Sequence, residues 1–257
     1  MQISTIPVGL GPKKSESAKL SNVALPNNAI STIPVEAYVA TLDDDTPKAS
    51  SSEELVNLLA AGGPVLLDSD VEIETSLVVE AGKTSTIDLN DHNITIASST
   101  GNYGEDEAIV AYGELNLEGE GTVESNSMSV WARGDQGAVV NIYSGSYKGL
   151  SEDLAKSGRG VIYASGGNTI NIYGGEFEAK AADKTSFADK EGVYAVLNVA
   201  DNNGTINVYG GRFKNFNPAE PGTEPKNWIE SHPNGFVAEG YESVQEGEWW
   251  VVRPIEG

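Results

Sequence analysis

The sequence predicts an all-β fold: a single-stranded, single-stack right-handed parallel β-helix (solenoid) with an extended N-terminal anchor, a short N-capping helix and a C-terminal β-hairpin cap. Three observations predict it. A motif of nine residues recurs five times at uneven spacing, its apolar positions alternate with period two, and Gly, Asn and Asp gather at the bends between runs.

The motif reads TIDLNDHNI at 86–94, ELNLEGEGT at 114–122, VVNIYSGSY at 139–147, TINIYGGEF at 169–177 and TINVYGGRF at 205–213. Its starts lie 28, 25, 30 and 36 residues apart, so constant rungs are joined by loops of variable length. The second position is always apolar (Ile87, Leu115, Val140, Ile170, Ile206), and so is the fourth (Leu89, Leu117, Ile142, Ile172, Val208). That alternation turns one face of each strand inward. Beyond the bend the chain turns inward again at Ile94, Val123, Tyr147, Phe177 and Phe213, with Val123 displaced by one. Further strands fall at 108–113, 128–134, 160–167 and 193–200. One rung alone cannot bury its apolar face, but stacked rungs can, and five at about 4.8 Å spacing make a body roughly 24 Å long.

Residues 1–45 read as the extended anchor, 46–215 as the solenoid body, and 216–257 as connector and cap. The anchor contains STIPV twice, as Ser4, Thr5, Ile6, Pro7, Val8 and as Ser31, Thr32, Ile33, Pro34, Val35. Prolines and sparse apolar residues preclude an autonomous core there. An extended STIPV suits strand addition into a groove of a neighbouring protein; a tail with a duplicated pentapeptide is the plainer alternative. At 51–61, SSEELVNLLAA predicts a short amphipathic helix. Ser51 and Glu54 match a capping box, Leu55, Leu58 and Leu59 share a face, and Gly62–Gly63 stop it. Strands around 65–67, 71–73 and 77–79 start the stack. A proline-rich connector at 216–227 leads to YESVQEGEWWVV (241–252), a hairpin closure carrying Trp249 and Trp250.

The net charge of −22 disfavours nucleic acid and anionic membranes as partners, because both need a basic footprint. Residues 1–42 carry +1 and the rest −23, which suggests separate jobs for the two parts. Without cysteine, neither disulfides nor thiolate zinc sites form. The start MQISTIPVGLG has neither a basic segment nor a long apolar run, so no signal peptide is expected, and no stretch approaches the roughly 20 apolar residues of a membrane span.

The succession of the helix, GGPVLLDSDVEI, TIDLNDHNITI and repeated NIYGG(E/R)F resembles the pectate-lyase-like right-handed β-helix superfamily, and within it β-helical proteins of tailed phages and gut bacteria. The ending GRFKNFNP…NGFVAEGYESVQEGEWWVV is similar to the close of such repeat proteins, so the resemblance covers about residues 51–257. It implies a non-enzymatic structural protein of a phage virion, a head fibre or capsid decoration. Residues 1–45 would bind capsid or other virion proteins, and the body would form a homo-oligomer, a trimer by preference, on the virion surface after synthesis in the host cytoplasm. Three rivals stand beside it: a host-glycan-binding adhesin or receptor-binding tail protein, a polysaccharide depolymerase, and a bacterial surface repeat protein, the last disfavoured by the missing signal.

Candidate chemistry is thin. Glycoside hydrolysis needs two carboxylates across a cleft about 5–9.5 Å wide. Glu118, Glu120 and Glu124 cluster on one repeat and Glu105, Asp106 and Glu107 form a loop run, but among 38 acids such proximity is expected of a solvated acidic face. Asp43–Asp45 reads as a linker spacer, and no calcium-loop pattern occurs. His92 and His232 have no evident partner for base or metal duty. No catalytic residue, metal or cofactor is expected. Tyr143, Tyr173 and Tyr209 recur at one outward position as an exposed ladder, with Asn141, Asn171 and Asn207 on the opposite phase of the bend. Such a ladder stabilises neighbouring rungs, meets another subunit, or stacks on a host-surface glycan. The sequons at Asn93 and Asn203 matter only in a secretory pathway.

Overall fold

The computed structural model describes residues 45–97, 106–149, 160–179, 195–199, 203–220 and 234–256. The chain divides into two units, Met1–Ala37 and Tyr38–Gly257, and every described residue lies in the second. Both STIPV segments, Ser4–Val8 and Ser31–Val35, fall outside the described residues.

After β1 (Lys48–Ala49) comes the one helix among the described residues, α1 (Ser52–Ala61). Ser51 caps it from an extended conformation, its Oγ accepting from the Glu54 N–H at 3.3 Å. Glu54 reaches one residue further back than a capping box requires and accepts from the Ser50 N–H at 2.8 Å. Leu55 and Leu59 are buried and Leu58 partly so. Gly62, at φ 81, ends the helix by sharing its N–H between the Leu58 and Leu59 carbonyls.

The chain then repeats a run of three short strands. The first run is β2 (Gly63–Leu67), β3 (Val71–Ile73) and β4 (Leu77–Val79). The next are β5 (Thr84–Asp88), β6 (His92–Ile96) and β7 (Ile109–Ala111), then β8 (Glu114–Glu118), β9 (Gly121–Ser125) and β10 (Val130–Ala132). Two more follow: β11 (Val139–Ile142), β12 (Ser146–Gly149) and β13 (Gly160–Ala164), then β14 (Thr169–Ile172), β15 (Glu176–Ala179) and β16 (Ala195–Val199). β17 (Thr205–Val208) and β18 (Arg212–Lys214) precede the closing hairpin of β19 (Tyr241–Glu246) and β20 (Trp249–Pro254).

Each strand of a run joins a different sheet. Sheet 1 has the order β1-β2-β5-β8-β11-β14-β17, sheet 2 the order β3-β6-β9-β12-β15-β18-β20-β19, and sheet 3 the order β4-β7-β10-β13-β16. All pairings are parallel until β18 meets β20 and β20 meets β19. Alternate residues face one continuous apolar core. It includes Leu115, Val140, Ile170 and Ile206 from sheet 1, and Phe216, Phe236 and Val252 from the C-terminal segments. In sheet 2, Tyr147, Phe177 and Phe213 stack with ring centroids 5.2 and 4.9 Å apart, all fully buried. The Tyr147 hydroxyl donates to the Ser144 carbonyl at 2.9 Å, and burial drives its pKa far above the usual tyrosine value.

Two details differ from the sequence alignment of repeats. The first motif is displaced: Ile87 lies opposite Leu117, not Leu115, and Ser85 takes the place opposite Leu115. A shift of two residues keeps every side chain on its face, so Ile87 and Leu89 remain buried. The displacement leaves Ser85 in the core, where its hydroxyl finds no hydrogen-bond partner. Sheet 1 is also longer than the five motif strands, because β1 and β2 extend it to seven.

The bends between sheets 1 and 2 stack almost backbone on backbone. A Cβ on Gly174 would lie 2.3 Å from the Tyr143 carbonyl oxygen, and one on Gly210 would lie 2.2 Å from that of Tyr173. Only glycine tolerates such an approach.

Candidate interaction surface

The outward positions of sheet 1 carry two ladders. In the first, the side-chain amide of Asn207 donates to Asn171 at 3.0 Å, Asn171 to Asn141 at 2.9 Å, and Asn141 to Asn116 at 2.9 Å. Asn116 in turn donates to Thr86 Oγ1 at 3.4 Å. Asn116 escaped the sequence reading because the first motif was aligned two residues out of place, which set it opposite Asp88 instead of Thr86. The second ladder is Tyr143, Tyr173 and Tyr209, with centroids 5.1 Å apart and planes within 8° and 10° of parallel. Tyr241 closes it edge-on at 5.6 Å and 83°.

Two expectations about these ladders are corrected. Tyrosines and asparagines share the outward phase, since positions two apart in an extended strand point the same way. The tyrosines are half-buried, not exposed, because each ring lies against its neighbours. Burial raises the Tyr173 pKa, and Tyr209 and Tyr241 raise it further. Both faces of Tyr173 are covered, one by Tyr143 and the other by Tyr209.

Beside the ladder, the glycine bends leave an open groove of about 390 Å³ lined by Glu120, Gly145, Gly175, Glu176, Gly211 and Arg212, among others. Arg212 Nη1 lies 3.4 Å from Glu176 Oε1, and its guanidinium stacks 4.2 Å above the Trp249 ring. The outer face of sheet 2 alternates in sign: Lys148 lies between Glu124 and Glu178 in register, and Lys214 Nζ meets Glu178 Oε1 at 2.6 Å.

The acidic residues singled out from the sequence do not form one site. Glu118 belongs to sheet 1, Glu124 to sheet 2, and Glu120 to the bend between them. Nor are they all solvated, as expected of an acidic surface: Glu118 is 6% exposed, Asp106 4% and Glu107 0%. Asp106 and Glu107 lead directly into β7, whose whole length is buried, and the strand carries them inward. Glu105, Asp43, Asp44 and His232 lie outside the described residues, and Asp45 is exposed.

His92 has a partner, contrary to expectation. Its Nδ1 lies 3.6 Å from Asp70 Oδ1, which also accepts from the Asn93 N–H at 2.8 Å and the Asn93 amide at 3.2 Å. The bend before β3 brings Asp70 beside the start of β6, a pairing between repeats that sequence distance hides. The Asn93 N–H chiefly holds the Asp70 carboxyl below the usual aspartate range, and His92 adds to it. Among the described residues no three His, Asp or Glu side chains cluster as a metal site. No described helix is long and apolar enough to cross a membrane.

Sheet 3 holds a cluster that the sequence reading passed over. Val110, Met128 and Trp131 form a second buried apolar group on its outer side, with Tyr112 and Tyr163 against it. Trp131 Nε1 donates to Ser165 Oγ at 2.9 Å, and the Arg133 guanidinium lies 4.3 Å over the indole. The alternation Val130–Trp131–Ala132–Arg133 signalled this: the small residues face the core and the large ones face out.

Comparison with known proteins gives no matching family model, no matching curated protein and no matching solved structure.

Proposed function

We propose that the three sheets are the walls of a right-handed parallel β-solenoid, and that the chain is a non-enzymatic structural protein of a phage virion. In this reading it is a head fibre or capsid decoration, homotrimeric by preference, held to the particle through residues 1–45. The observation that carries it is how the reactive side chains are used. Lys214 with Glu178, Arg212 with Glu176, His92 with Asp70, and the Asn and Tyr ladders all join one repeat to the next. Such use supports a scaffold that spends its polar groups on holding rungs in register. The virion assignment rests on the resemblance of 51–257 and on the repeated STIPV. It is tested by deleting residues 1–45 and imaging particles assembled with the truncated chain. Loss of the projection while the body stays folded supports the reading; normal occupancy overturns the anchor.

A second reading, a host-glycan adhesin, draws on the groove lined by Glu120, Glu176 and Arg212, whose guanidinium lies over Trp249. Binding on a glycan array that is lost in Arg212→Ala would favour it. Release of reducing ends from host polysaccharide, lost on substituting Glu118 or Glu120, would instead favour a depolymerase.

A further inference from the structure

The sequence contains two Asn-Gly pairs among the described residues, Asn203–Gly204 and Asn234–Gly235. Asn-Gly is the pair most open to spontaneous deamidation, because glycine puts no side chain in the way of its own nitrogen. In that reaction the backbone nitrogen of the glycine attacks Cγ of the asparagine. A C–N bond forms, ammonia leaves, and a five-membered succinimide closes. Water then opens either carbonyl, giving aspartate or isoaspartate, the latter with an extra methylene in the backbone. Nothing but water is consumed.

Both asparagines are exposed, so exposure does not separate them. Their attachments do. Asn203 Oδ1 accepts from the Gly166 N–H at 3.1 Å, tying it to the preceding repeat. Gly204 is buried so closely that a Cβ there would lie 2.3 Å from the Ala164 carbonyl oxygen, and the next residue, Thr205, donates its N–H to Asn168 at 2.9 Å. Closing a succinimide at Asn203 would break the first bond and flatten a backbone wedged against sheet 3. Asn234 opens a tight turn, its carbonyl accepting from the Val237 N–H at 3.1 Å, with Gly235 at φ 58. Among the described residues no hydrogen bond holds its side chain.

We propose that Asn234 is a site of spontaneous deamidation and that the fold protects Asn203. The turn that Asn234 begins also covers the edge of sheet 1. Val208 of β17 donates to the Phe236 carbonyl at 2.9 Å and accepts from the Ala238 N–H at 3.0 Å, and Phe236 is buried in the core. An isoaspartate at 234 lengthens the backbone next to that cover and adds one negative charge. Of the two described Asn-Gly pairs, the one at the C-terminal end of sheet 1 therefore converts first.

The test incubates the full chain in mildly alkaline buffer at physiological temperature, once folded and once unfolded in urea, and maps aspartate and isoaspartate by peptide mass spectrometry. Unfolded, the two sites should convert at similar rates. Folded, conversion at Asn234 should exceed that at Asn203 by about tenfold or more, a difference of roughly 1.4 kcal/mol in barrier. Asn234→Gln should remove nearly all conversion at the two Asn-Gly sites of the folded chain. A ratio unchanged between folded and unfolded chains, or faster conversion at Asn203 in the fold, overturns the proposal.

Discussion

The side-chain Oδ1 of Asn168 accepts from the Ala138 N–H at 2.7 Å, across one full repeat. The same side chain, entirely buried, donates through Nδ2 to the carbonyls of Gly134, at 2.7 Å, and Ser165. One asparagine thus satisfies three backbone groups at a bend where no strand ladder reaches them. Asn168→Leu leaves the Ala138 N–H and the Gly134 carbonyl unsatisfied, while the Ser165 carbonyl keeps the backbone N–H of residue 168, and should cost about 2 kcal/mol or more. Asn168→Asp should cost at least as much, since a carboxylate there faces two carbonyl oxygens. Urea denaturation of both variants checks this, and a loss under 1 kcal/mol would remove the staple from the account (about the worth of one ordinary hydrogen bond).

Ser85 predicts the opposite sign. Its buried hydroxyl has no partner, so Ser85→Ala removes an unsatisfied polar group without opening a large void. The variant should be neutral or more stable by about 1 kcal/mol in the same assay. Clear destabilisation would mean that the hydroxyl is bonded.

The two aromatic stacks should differ in worth. Phe177 lies between Tyr147 and Phe213 in the core, so Phe177→Ala should cost about 3–5 kcal/mol through cavity and lost burial. Tyr173 lies between Tyr143 and Tyr209 on the outside, and Tyr173→Ala should cost about 1–3 kcal/mol, mainly two ring contacts. Calorimetry that reverses this order would place the ladder, not the core, at the centre of stability.

An unpaired charge in the sheet 1 core is a harsher test. Ile172 is fully buried, and Ile172→Asp should abolish cooperative melting by circular dichroism. Melting like that of the parent chain would invalidate the inward face.

Alkaline pH probes sheet 2. The hydrogen bond to Glu178, with that residue's charge, raises the Lys214 pKa above its ordinary 10.5. A raised folded-state value gives stability that is complete below the ordinary value and lost as pH climbs through the folded one. The melting temperature should therefore fall more steeply with alkaline pH in the parent chain than in Lys214→Met. Parallel profiles would show that the pair contributes nothing.

The sequence made the strands of sheet 1 and sheet 2 legible because a period of two, repeated five times, marks both the inward residues and the bends. Ile170, Ile206, Phe177 and Phe213 could be placed from the repeat alone. The His92–Asp70 contact could not, because it joins a bend to a strand one repeat later and Asp70 lies outside the motif. Burial of Asp106 and Glu107 was hidden for a related reason: a carboxylate in a loop reads as solvated until the strand after it is known to turn inward. Asn168 lies outside the nine-residue motif, and its three backbone bonds depend on bend geometry that alternation does not encode.

The two-residue offset of the first repeat bears on how such a chain changes length over generations. Losing or gaining a dipeptide within a strand moves the register but exchanges no residue between core and water, as Ile87 and Leu89 show by staying buried after the shift. A single-residue indel at the same place would send Ile87 and Leu89 outward and bring Thr86 and Asp88 in. Strand-internal indels that survive in descendants of this chain should therefore be even in number, while the bends accept odd and even alike.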